Sequence, residues 1–408
     1  MADYKTKDIR NIALLGHGSE GKTTLTEAML FAAGMIDRQG KVEAGTTVTD
    51  FDAEENKRGI SISAATAPVE WKGTKINLID VPGYFDFIGE MMGPLRVVET
   101  AAIVVGAVSG LTVGAEKAWA YAKKNNVCRM FIVNRMDAEN ANYEKTIEQL
   151  REKFGSSVVP LMLPIGEGAK FTGVVNVLEN KAYSGKGKDL KEIPVPADMA
   201  PAIENALAEI TEAAAEAVDE LLEKYFEEGE LSHEEILQGF SAGMKSGSIV
   251  PAVPVSAVTG VGVAKLLDVM SAYLHSPEEA SFAGINPKND EEIIREGKTS
   301  EPITAFVFKT IADPFVGKLS MLRVCSGTLT SGTALYNSSC EKTEKAGGLF
   351  LLRGKNQLSV SQVSAGDIAA LSKLQFTNTG DTLCDAANPI RYEKISFPEP
   401  SVQKAVYA

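Results

Sequence analysis

The residues that could do chemistry first appear as a glycine-rich run near the amino terminus. The pattern GxxxxGK[ST], set between an apolar segment and a helix-like one, is formed by Gly16, His17, Gly18, Ser19, Glu20, Gly21, Lys22 and Thr23, with Thr24 next in line. Glycines let backbone N–H groups turn inward around phosphates, Lys22 would reach the β- and γ-phosphates, and Thr23 would bind Mg²⁺. The flanking elements favour this interpretation over an ordinary glycine-rich turn.

A second run, Asp80-Val81-Pro82-Gly83, closes a predicted strand. An acid at a strand end can hold Mg²⁺ through water, and the Gly83 N–H can approach a γ-phosphate closely because no Cβ intervenes. Ser61 lies in a polar loop upstream, where its hydroxyl would ligate Mg²⁺ only when the γ-phosphate is present. Each run alone also fits a plain turn or a charged loop.

The base-recognition candidates follow a third strand. Asn134-Arg135-Met136-Asp137 places a carboxylate, Asp137, that can accept from the two adjacent donors of guanine, which adenine lacks. Asn134 would contact the base and brace the phosphate loop, and the stem of Arg135 would cover the base face. Backbone N–H groups in the segment Ser256, Ala257 and Val258 would complete a guanine pocket.

Strand and helix signals alternate over about the first 160 residues, a pattern typical of a parallel sheet covered by helices. The predicted strands are Ile9–Leu15, Val69–Trp71, Ile76–Ile79, Ile103–Ala107 and Met130–Val133. The predicted helices are Thr23–Ala33, Ala115–Lys124 and Tyr143–Phe154. Each motif above therefore follows a strand.

The pattern changes between about residues 158 and 250, where we expect an inserted α+β subdomain. Its predicted elements are strands near Val158–Leu163, Val174–Val177 and Ala182–Tyr183, one long Ala/Glu-rich helix over Met199–Phe226, and a helix near Ser232–Lys245. The αβ pattern then resumes with a strand at Val250–Ser256 and a helix at Val263–Leu274.

The last third of the chain changes character again. Asn286–Thr299 is polar and is interpreted as a linker, whereas Thr304–Ser396 has short strands punctuated by glycine, typical of a small β-barrel. The predicted domains are residues 1–285 with the insertion at 158–250, a linker at 286–300, a barrel at 301–390, and the start of a third domain at 391–408. The strand-like end suggests a piece of a longer protein.

Composition bounds the class of protein. The 408 residues are 44% apolar with no apolar run that could span a bilayer, so we expect a cytoplasmic protein and no membrane association. The net charge of −13 disfavours indiscriminate binding to DNA or other naked nucleic acid. The four cysteines lack CxxC spacing and are interpreted as reduced thiols.

Together these residues resemble the translational GTPases, and more closely the amino-terminal part of elongation factor G, over nearly the whole chain. The resemblance takes in a first switch at Asp52–Thr66, a second at Asp80–Glu90, the insertion, and barrel segments at Ala312–Leu319, Ala365–Ala370 and Thr379–Cys384. Phe397–Pro400 matches the entry to the third domain. The implied fold is α/β: a P-loop NTPase G domain with an inserted α+β subdomain, followed by an all-β translation-factor barrel.

Four positions depart from the family pattern. Tyr84 stands where the family's histidine orients the attacking water, and a phenol with a pKa near 10 cannot act like an imidazole. Ser19 replaces an aspartate associated with a monovalent cation, Ser61 replaces threonine but keeps the hydroxyl, and Arg135 replaces lysine. His17 matches the family and is interpreted as structural.

The resemblance implies GTP and GDP as ligands, Mg²⁺ as cofactor, and the ribosome as partner of a monomeric cytoplasmic factor. The β-barrel would contact small-subunit RNA, and the G domain the large-subunit stalk and the sarcin–ricin loop. Lys22, Gly83 and Tyr84 would be the catalytic residues, and Thr23, Ser61 and Asp80 would hold the metal.

Three functions remain open on this basis. The first is a ribosome-stimulated GTPase acting in translation elongation, with turnover impaired by Tyr84. The second is a GTP/GDP-binding switch with little hydrolysis, or a relative of the ribosome-protection and recycling factors. The third, an ATPase or kinase, is disfavoured by Asn134 and Asp137.

Overall fold

The structure is a computed structural model that describes residues 4–313, 317–399 and 404–405. Its amino-terminal domain is built on a seven-stranded sheet. In sheet order the strands are β2 (Ala65–Trp71), β3 (Thr74–Asp80), β1 (Ile9–Gly16), β4 (Thr100–Gly106), β5 (Cys128–Asn134), β11 (Val250–Pro254) and β6 (Val158–Pro160). All neighbours are parallel except β2 and β3, which form an antiparallel pair.

Helices accompany this sheet at nearly the predicted positions. They are α1 (Lys22–Ala32), α2 (Ala53–Arg58), α3 (Gly89–Met92), α4 (Val113–Lys124), α5 (Tyr143–Phe154) and α9 (Val263–Tyr273). Because β4 is buried along its whole length, its near-continuous apolar sequence is that of a strand covered on both faces. The fold class is therefore confirmed: a mixed, mainly parallel sheet with helices, the architecture of the predicted G domain.

The inserted region differs from the prediction in two ways. The expected strand over Val158–Leu163 is two strands, of which β6 belongs to the main sheet and β7 to the subdomain sheet. The expected long helix breaks near Val218, whose extended backbone (φ −142°, ψ 118°) separates two helices. The subdomain elements are β10 (Lys191–Ile193), β9 (Lys181–Ser184), β8 (Gly173–Asn176), β7 (Met162–Ile165), α6 (Ala200–Glu216), α7 (Asp219–Glu228) and α8 (His233–Ser246).

The expected linker at 286–300 is not irregular throughout, because it contributes β13 (Glu292–Glu296), which pairs with β12 (Ser281–Ile285). The following β domain (residues 304–384) is antiparallel, and its described residues contain no helix, as predicted. Its main sheet runs β18 (Lys342–Lys345), β17 (Ala334–Asn337), β23 (Thr382–Cys384), β14 (Thr304–Asp313), β15 (Gly317–Ser326), β22 (Ile368–Ser372), β19 (Leu349–Arg353) and β20 (Asn356–Ser359). A ribbon of β16 (Thr328–Thr330) and β21 (Gln362–Ser364) completes it.

Two predicted segments fall partly outside the described residues. Residues 314–316, within the barrel segment Ala312–Leu319, are outside the described part of the chain. Residues 400–403 and 406–408, within the predicted third domain, are outside it as well.

A buried polar cluster joins the β domain to the amino ends of the central strands. The members of this buried network are Asn11, Lys75, Asn77, Glu99, Arg323 and Asp367. The Lys75 ammonium lies 2.6 Å from an Asp367 carboxylate oxygen, and the Glu99 carboxylate pairs with the Arg323 guanidinium at 2.5 Å. Nucleotides bind at the carboxyl ends of parallel strands, so this network lies at the edge away from the predicted site.

Candidate functional site

The glycine-rich run forms the turn between β1 and the first residues of α1, so the backbone N–H groups of the helix start face the turn. Lys22 and Thr23 are the first two helical residues and are both buried. Thr24 follows and is partly exposed. A positive helix end with a buried lysine is an arrangement that favours a phosphate.

The Lys22 side chain is held against the turn by two carbonyl groups. Its ammonium donates to the carbonyl oxygens of Gly16 at 3.0 Å and His17 at 2.7 Å. Burial lowers the pKa of Lys22 to about 8, opposed by the nearby Asp80, Glu20 and Asp50 carboxylates. A phosphate at this turn would supply the counter-charge that the buried ammonium lacks.

Thr23, Ser61 and Asp80 meet beside Lys22, as a Mg²⁺ site requires. The Thr23 and Ser61 hydroxyl oxygens are 3.1 Å apart. One Asp80 carboxylate oxygen accepts from the Thr49 hydroxyl at 2.8 Å, while the other is buried without a hydrogen-bond partner among the described residues. An orphaned carboxylate oxygen beside two hydroxyls fits a hard cation that takes oxygen ligands.

Asp50 is a buried acid beside this cluster that the sequence analysis missed. Burial and the Asp80 carboxylate raise the pKa of Asp50 to about 7, and burial also raises the pKa of Asp80. Two crowded carboxyls are costly unless a cation neutralises them. Among the described residues no group of three or more His, Cys, Asp or Glu could hold a metal, so a cation here would need other ligands besides these carboxylates.

The second switch packs directly on the phosphate turn. A Cβ built on Gly83 would lie 2.6 Å from the Gly18 nitrogen, so only glycine fits this approach. A Cβ built on Gly18 would lie 2.8 Å from the Tyr84 ring, so that ring covers the turn. The Tyr84 and Ser19 hydroxyl oxygens are 3.2 Å apart, which brings two of the departures from the family pattern into contact.

The base-recognition candidates are brought together at the other end of the turn. The Asn134 amide donates to the Glu20 carbonyl oxygen at 2.9 Å and accepts from the Ala257 N–H at 3.0 Å. The Asp137 carboxylate accepts from the Ser256 hydroxyl at 2.6 Å. The Ala257 N–H is bonded to Asn134 here, and its contact with a guanine oxygen stays a prediction.

Other predicted residues occupy less direct positions. The Arg135 guanidinium donates to the Ser19 carbonyl oxygen at 2.5 Å, bridging the base side and the phosphate turn. The Glu20 carboxylate is held by the Ser109 hydroxyl at 2.9 Å and so contributes only its backbone to the turn. The His17 ring packs near Phe85, with centroids 5.8 Å apart, and Val258 is largely exposed.

Two buried acids outside the predicted motifs also shape the site. The buried Glu27 carboxylate accepts from the Gly40 and Val48 N–H groups at 2.7 and 2.6 Å, which orders the segment before the first switch. The buried Glu55 carboxylate accepts from the Ile62 N–H at 3.0 Å. Glu27 lies on α1 and Glu55 on α2. The Asp52-x-x-Glu55 capping box at the start of α2 is a sequence signal for Glu55, whereas nothing in the sequence marks Glu27.

Comparisons with known proteins give the family of each domain. The sequence model of the elongation factor Tu GTP binding domain matches residues 7–276, and that of elongation factor G domain 2 matches residues 302–386. A crystal structure of a protein from Thermus thermophilus is similar, with a TM-score of 0.83 and 32% identity. That match covers 94% of this chain but 55% of the other, so the chain spans about half of its length.

The chain belongs to the family that carries the elongation factor Tu GTP-binding domain, a class of translational GTPases. Members of that class generally bind GTP or GDP with Mg²⁺. The second domain then identifies it as an elongation factor G-like factor, as the resemblance predicted. Among the described residues no helix has both the length and the apolarity needed to cross a bilayer.

Proposed function

We propose that this chain is the GTP-binding part of a ribosome-stimulated GTPase that serves a step of translation elongation. The observation that carries the proposal is the convergence of Lys22, Thr23, Ser61, Asp80 and Gly83 at one end of the site, with Asn134 and Asp137 at the other. The spacing of donors and acceptors suits a guanine base at one end and a triphosphate with its metal at the other. The family assignment supports the same substrate.

The residues would divide the work of binding. Asp137 would accept from the paired donors of guanine, and Asn134 would keep the base loop fixed to the phosphate turn. Thr23, Ser61 and Asp80 would hold Mg²⁺, which when bound neutralises charge on the β- and γ-phosphates. Because Ser61 lies on the first switch, its hydroxyl can report the γ-phosphate and thereby distinguish GTP from GDP.

Hydrolysis would depend on positioning and charge stabilisation. Water attacks the γ-phosphorus in line, the bond to the β–γ bridging oxygen breaks, and GDP and phosphate leave. The Lys22 ammonium would move from the Gly16 and His17 carbonyls to the phosphates, and the Gly83 N–H would stabilise charge on the γ-phosphate. The Tyr84 hydroxyl, or a ribosomal group, would orient the water.

The Tyr84–Ser19 contact also favours the second candidate, a switch that binds GTP and GDP with little turnover. A phenol hydroxyl paired with Ser19 has part of its hydrogen-bonding capacity committed to that partner, which restricts how it can orient a water. Asn134 and Asp137 disfavour an ATPase, and a preference for ATP in competition binding would reinstate it.

The test is single-turnover hydrolysis of labelled GTP by the intact protein, with and without ribosomes, for wild type, Tyr84→His and Tyr84→Phe. Tyr225→Phe, in the inserted subdomain, is the matched control. We expect ribosomes to stimulate the wild type and Tyr84→Phe to lose most of that stimulation. If the wild type binds GTP without ribosome-stimulated hydrolysis, and Tyr84→His restores that hydrolysis, the protein is a binding switch and not a GTPase. If the wild type does not bind GTP, both candidate functions are wrong.

A further inference from the structure

Lys309 of the β domain lies far in sequence from every motif of the nucleotide site, yet it reaches both switches. It sits on β14, where the pairing with β15 shifts register between Val307 and Lys309. A bulge of this kind turns the following side chain away from its regular direction. Here the Lys309 side chain points into the domain interface and is only 12% exposed.

The Lys309 ammonium makes three contacts there. It donates to the Ala64 carbonyl oxygen at 2.7 Å and to the Ser63 hydroxyl, and it pairs with a Glu90 carboxylate oxygen at 2.6 Å. The same Glu90 oxygen accepts from the Ala64 N–H at 2.7 Å. We call this arrangement of Lys309, Glu90 and the Ser63–Ala64 segment the Lys309 clamp. It holds Ala64 by both its backbone N–H and its carbonyl group.

The clamped segment is the carboxyl end of the first switch. Ser61, the proposed metal ligand with its hydroxyl 3.1 Å from that of Thr23, lies two residues before Ser63. The Glu55 carboxylate accepts from the Ile62 and Ser63 N–H groups at 3.0 and 3.1 Å. Since few backbone torsions separate Ser61 from Ala64, fixing Ala64 limits where the Ser61 hydroxyl can go.

A second contact from the β domain reaches the segment that precedes the first switch. The turn after β19 brings Gly354 so close to Val48 that a Cβ there would overlap the Val48 carbonyl oxygen. The Arg353 guanidinium donates to the Met35 carbonyl oxygen at 3.1 Å, and the Gly354 N–H donates to the Thr66 carbonyl oxygen at 2.9 Å. The β domain therefore contacts both the segment before the first switch and the carboxyl end of the switch itself.

We propose that Lys309 is a positioning residue that makes the β domain a sensor of the γ-phosphate. The clamp holds Ser61 ready for the metal that accompanies GTP, and Glu90 ties the same contact to the end of the second switch. The inference rests on the proposed function, because it concerns the difference between GTP and GDP at that site. GDP has no γ-phosphate for Ser61 to report, so the clamp would favour GTP selectively.

The test replaces Lys309 by methionine, which keeps much of the length of the side chain but removes its charge and donors. Lys318→Met is the matched control, since Lys318 lies on the adjacent β15 with its ammonium at the surface, 3.2 Å from the Asn378 side-chain oxygen. Equilibrium binding of GDP and of a non-hydrolysable GTP analogue is measured with Mg²⁺ on the intact protein. We expect Lys309→Met to lower the preference for the GTP analogue over GDP by roughly 5- to 20-fold.

Limited trypsin digestion gives a readout that needs no catalysis. Lys57 and Arg58 on α2 are exposed cleavage points within the first switch. In the wild type and in Lys318→Met, the GTP analogue should slow cleavage at Lys57 and Arg58. In Lys309→Met, the analogue should slow this cleavage much less. Glu90→Gln should reproduce the change. The double variant Lys309→Met with Glu90→Gln should differ little from either single variant, because both substitutions break the same ion pair.

Three results would overturn the inference while leaving the proposed function intact. The first is a ratio of the two affinities in Lys309→Met that is unchanged with both affinities as in the wild type. The second is the same ratio with both affinities lowered equally and a lower melting temperature, which would make Lys309 merely structural. The third is cleavage at Lys57 and Arg58 that is insensitive to nucleotide in the wild type. If the wild type binds neither nucleotide, the proposed function fails and the inference fails with it.

Discussion

The β domain meets the G domain in two regions of opposite character. The buried network joins it to the amino ends of β1 and β3 and to Glu99 just before β4, which are fixed parts of the sheet. The Lys309 clamp joins it to the switches, at the carboxyl edge where nucleotide would bind. One region fixes the position of the β domain, and the other can register a change in the nucleotide.

The two regions also differ in how deeply their charged groups are buried. Lys75 and Arg323 are almost wholly buried and their charges are matched by Asp367 and Glu99, whereas Glu90 of the clamp is 33% exposed. A buried pair that loses one partner leaves an uncompensated charge, while a partly exposed pair can be resolvated when it opens. The network therefore suits permanent attachment, and the clamp suits a contact that opens and closes.

The largest expected effect is in the network. Asp367→Ala removes the partner of the buried Lys75 ammonium and one of the two acceptors of the Asn77 amide, which donates to Asp367 at 2.9 Å and to Asn11 at 2.8 Å. We expect the free energy of unfolding to fall by about 3–5 kcal/mol, measured by chemical denaturation. The combined change Lys75→Met with Asp367→Leu should recover much of the loss. A drop below about 1 kcal/mol would show that the network does not anchor the domains.

The next effect is at the switch edge. Gly83→Ala forces a Cβ between the second switch and the phosphate turn, so the Gly83 N–H could not approach a γ-phosphate. Ribosome-stimulated GTP hydrolysis should fall about 100-fold or more, and a melting temperature measured alongside separates this loss from a loss of folded protein. Gly89→Ala is the control, because its Cβ would meet nothing nearer than Phe397 at 3.9 Å. Equal losses for the two variants would contradict this role of Gly83.

A smaller effect tests the contact between Gly354 and Val48, which lies before the first switch. Gly354→Ala and Gly73→Ala both place a Cβ on a residue of positive φ, but only Gly354 has a neighbour within 4 Å. Gly73→Ala should cost about 1 kcal/mol of stability through its backbone conformation alone, and Gly354→Ala should cost more because of the overlap with Val48. Only Gly354→Ala should speed tryptic cleavage at Arg58, because the turn must move away from Val48. Similar rates of cleavage in the two variants would show that the turn at Gly354 does not affect the first switch.

The smallest effect concerns Ser19, whose hydroxyl meets that of Tyr84 at the exposed side of the site. Losing one hydrogen bond of this kind changes a free energy by about 0.5–1.5 kcal/mol. Ser19→Ala should therefore change the single-turnover rate by roughly 2- to 10-fold. The double variant Ser19→Ala with Tyr84→Phe should show a smaller free-energy change than the sum of the two single variants. Full additivity would mean that the two hydroxyls act independently.

Much of the G domain was predictable because its signals are local. The strands and helices around the motifs lie within a few residues of their predicted limits, and α5 has the predicted limits. The one long helix expected in the insertion was wrong, since its Ala/Glu-rich sequence gives no sign of the extended backbone at Val218. Polar composition alone also hid β13, which is stabilised by pairing with β12.

The sequence by itself determined which side chains are available for phosphate, metal and base, because the motifs are runs of neighbouring residues. Only the tertiary structure decided which of them meet: Tyr84 with Ser19, the Ala257 N–H with Asn134, and Lys309 with Ala64. Lys309 and Ala64 are 245 residues apart. Contacts at that separation depend on how two domains pack, and no local pattern of charge or hydrophobicity specifies their partner.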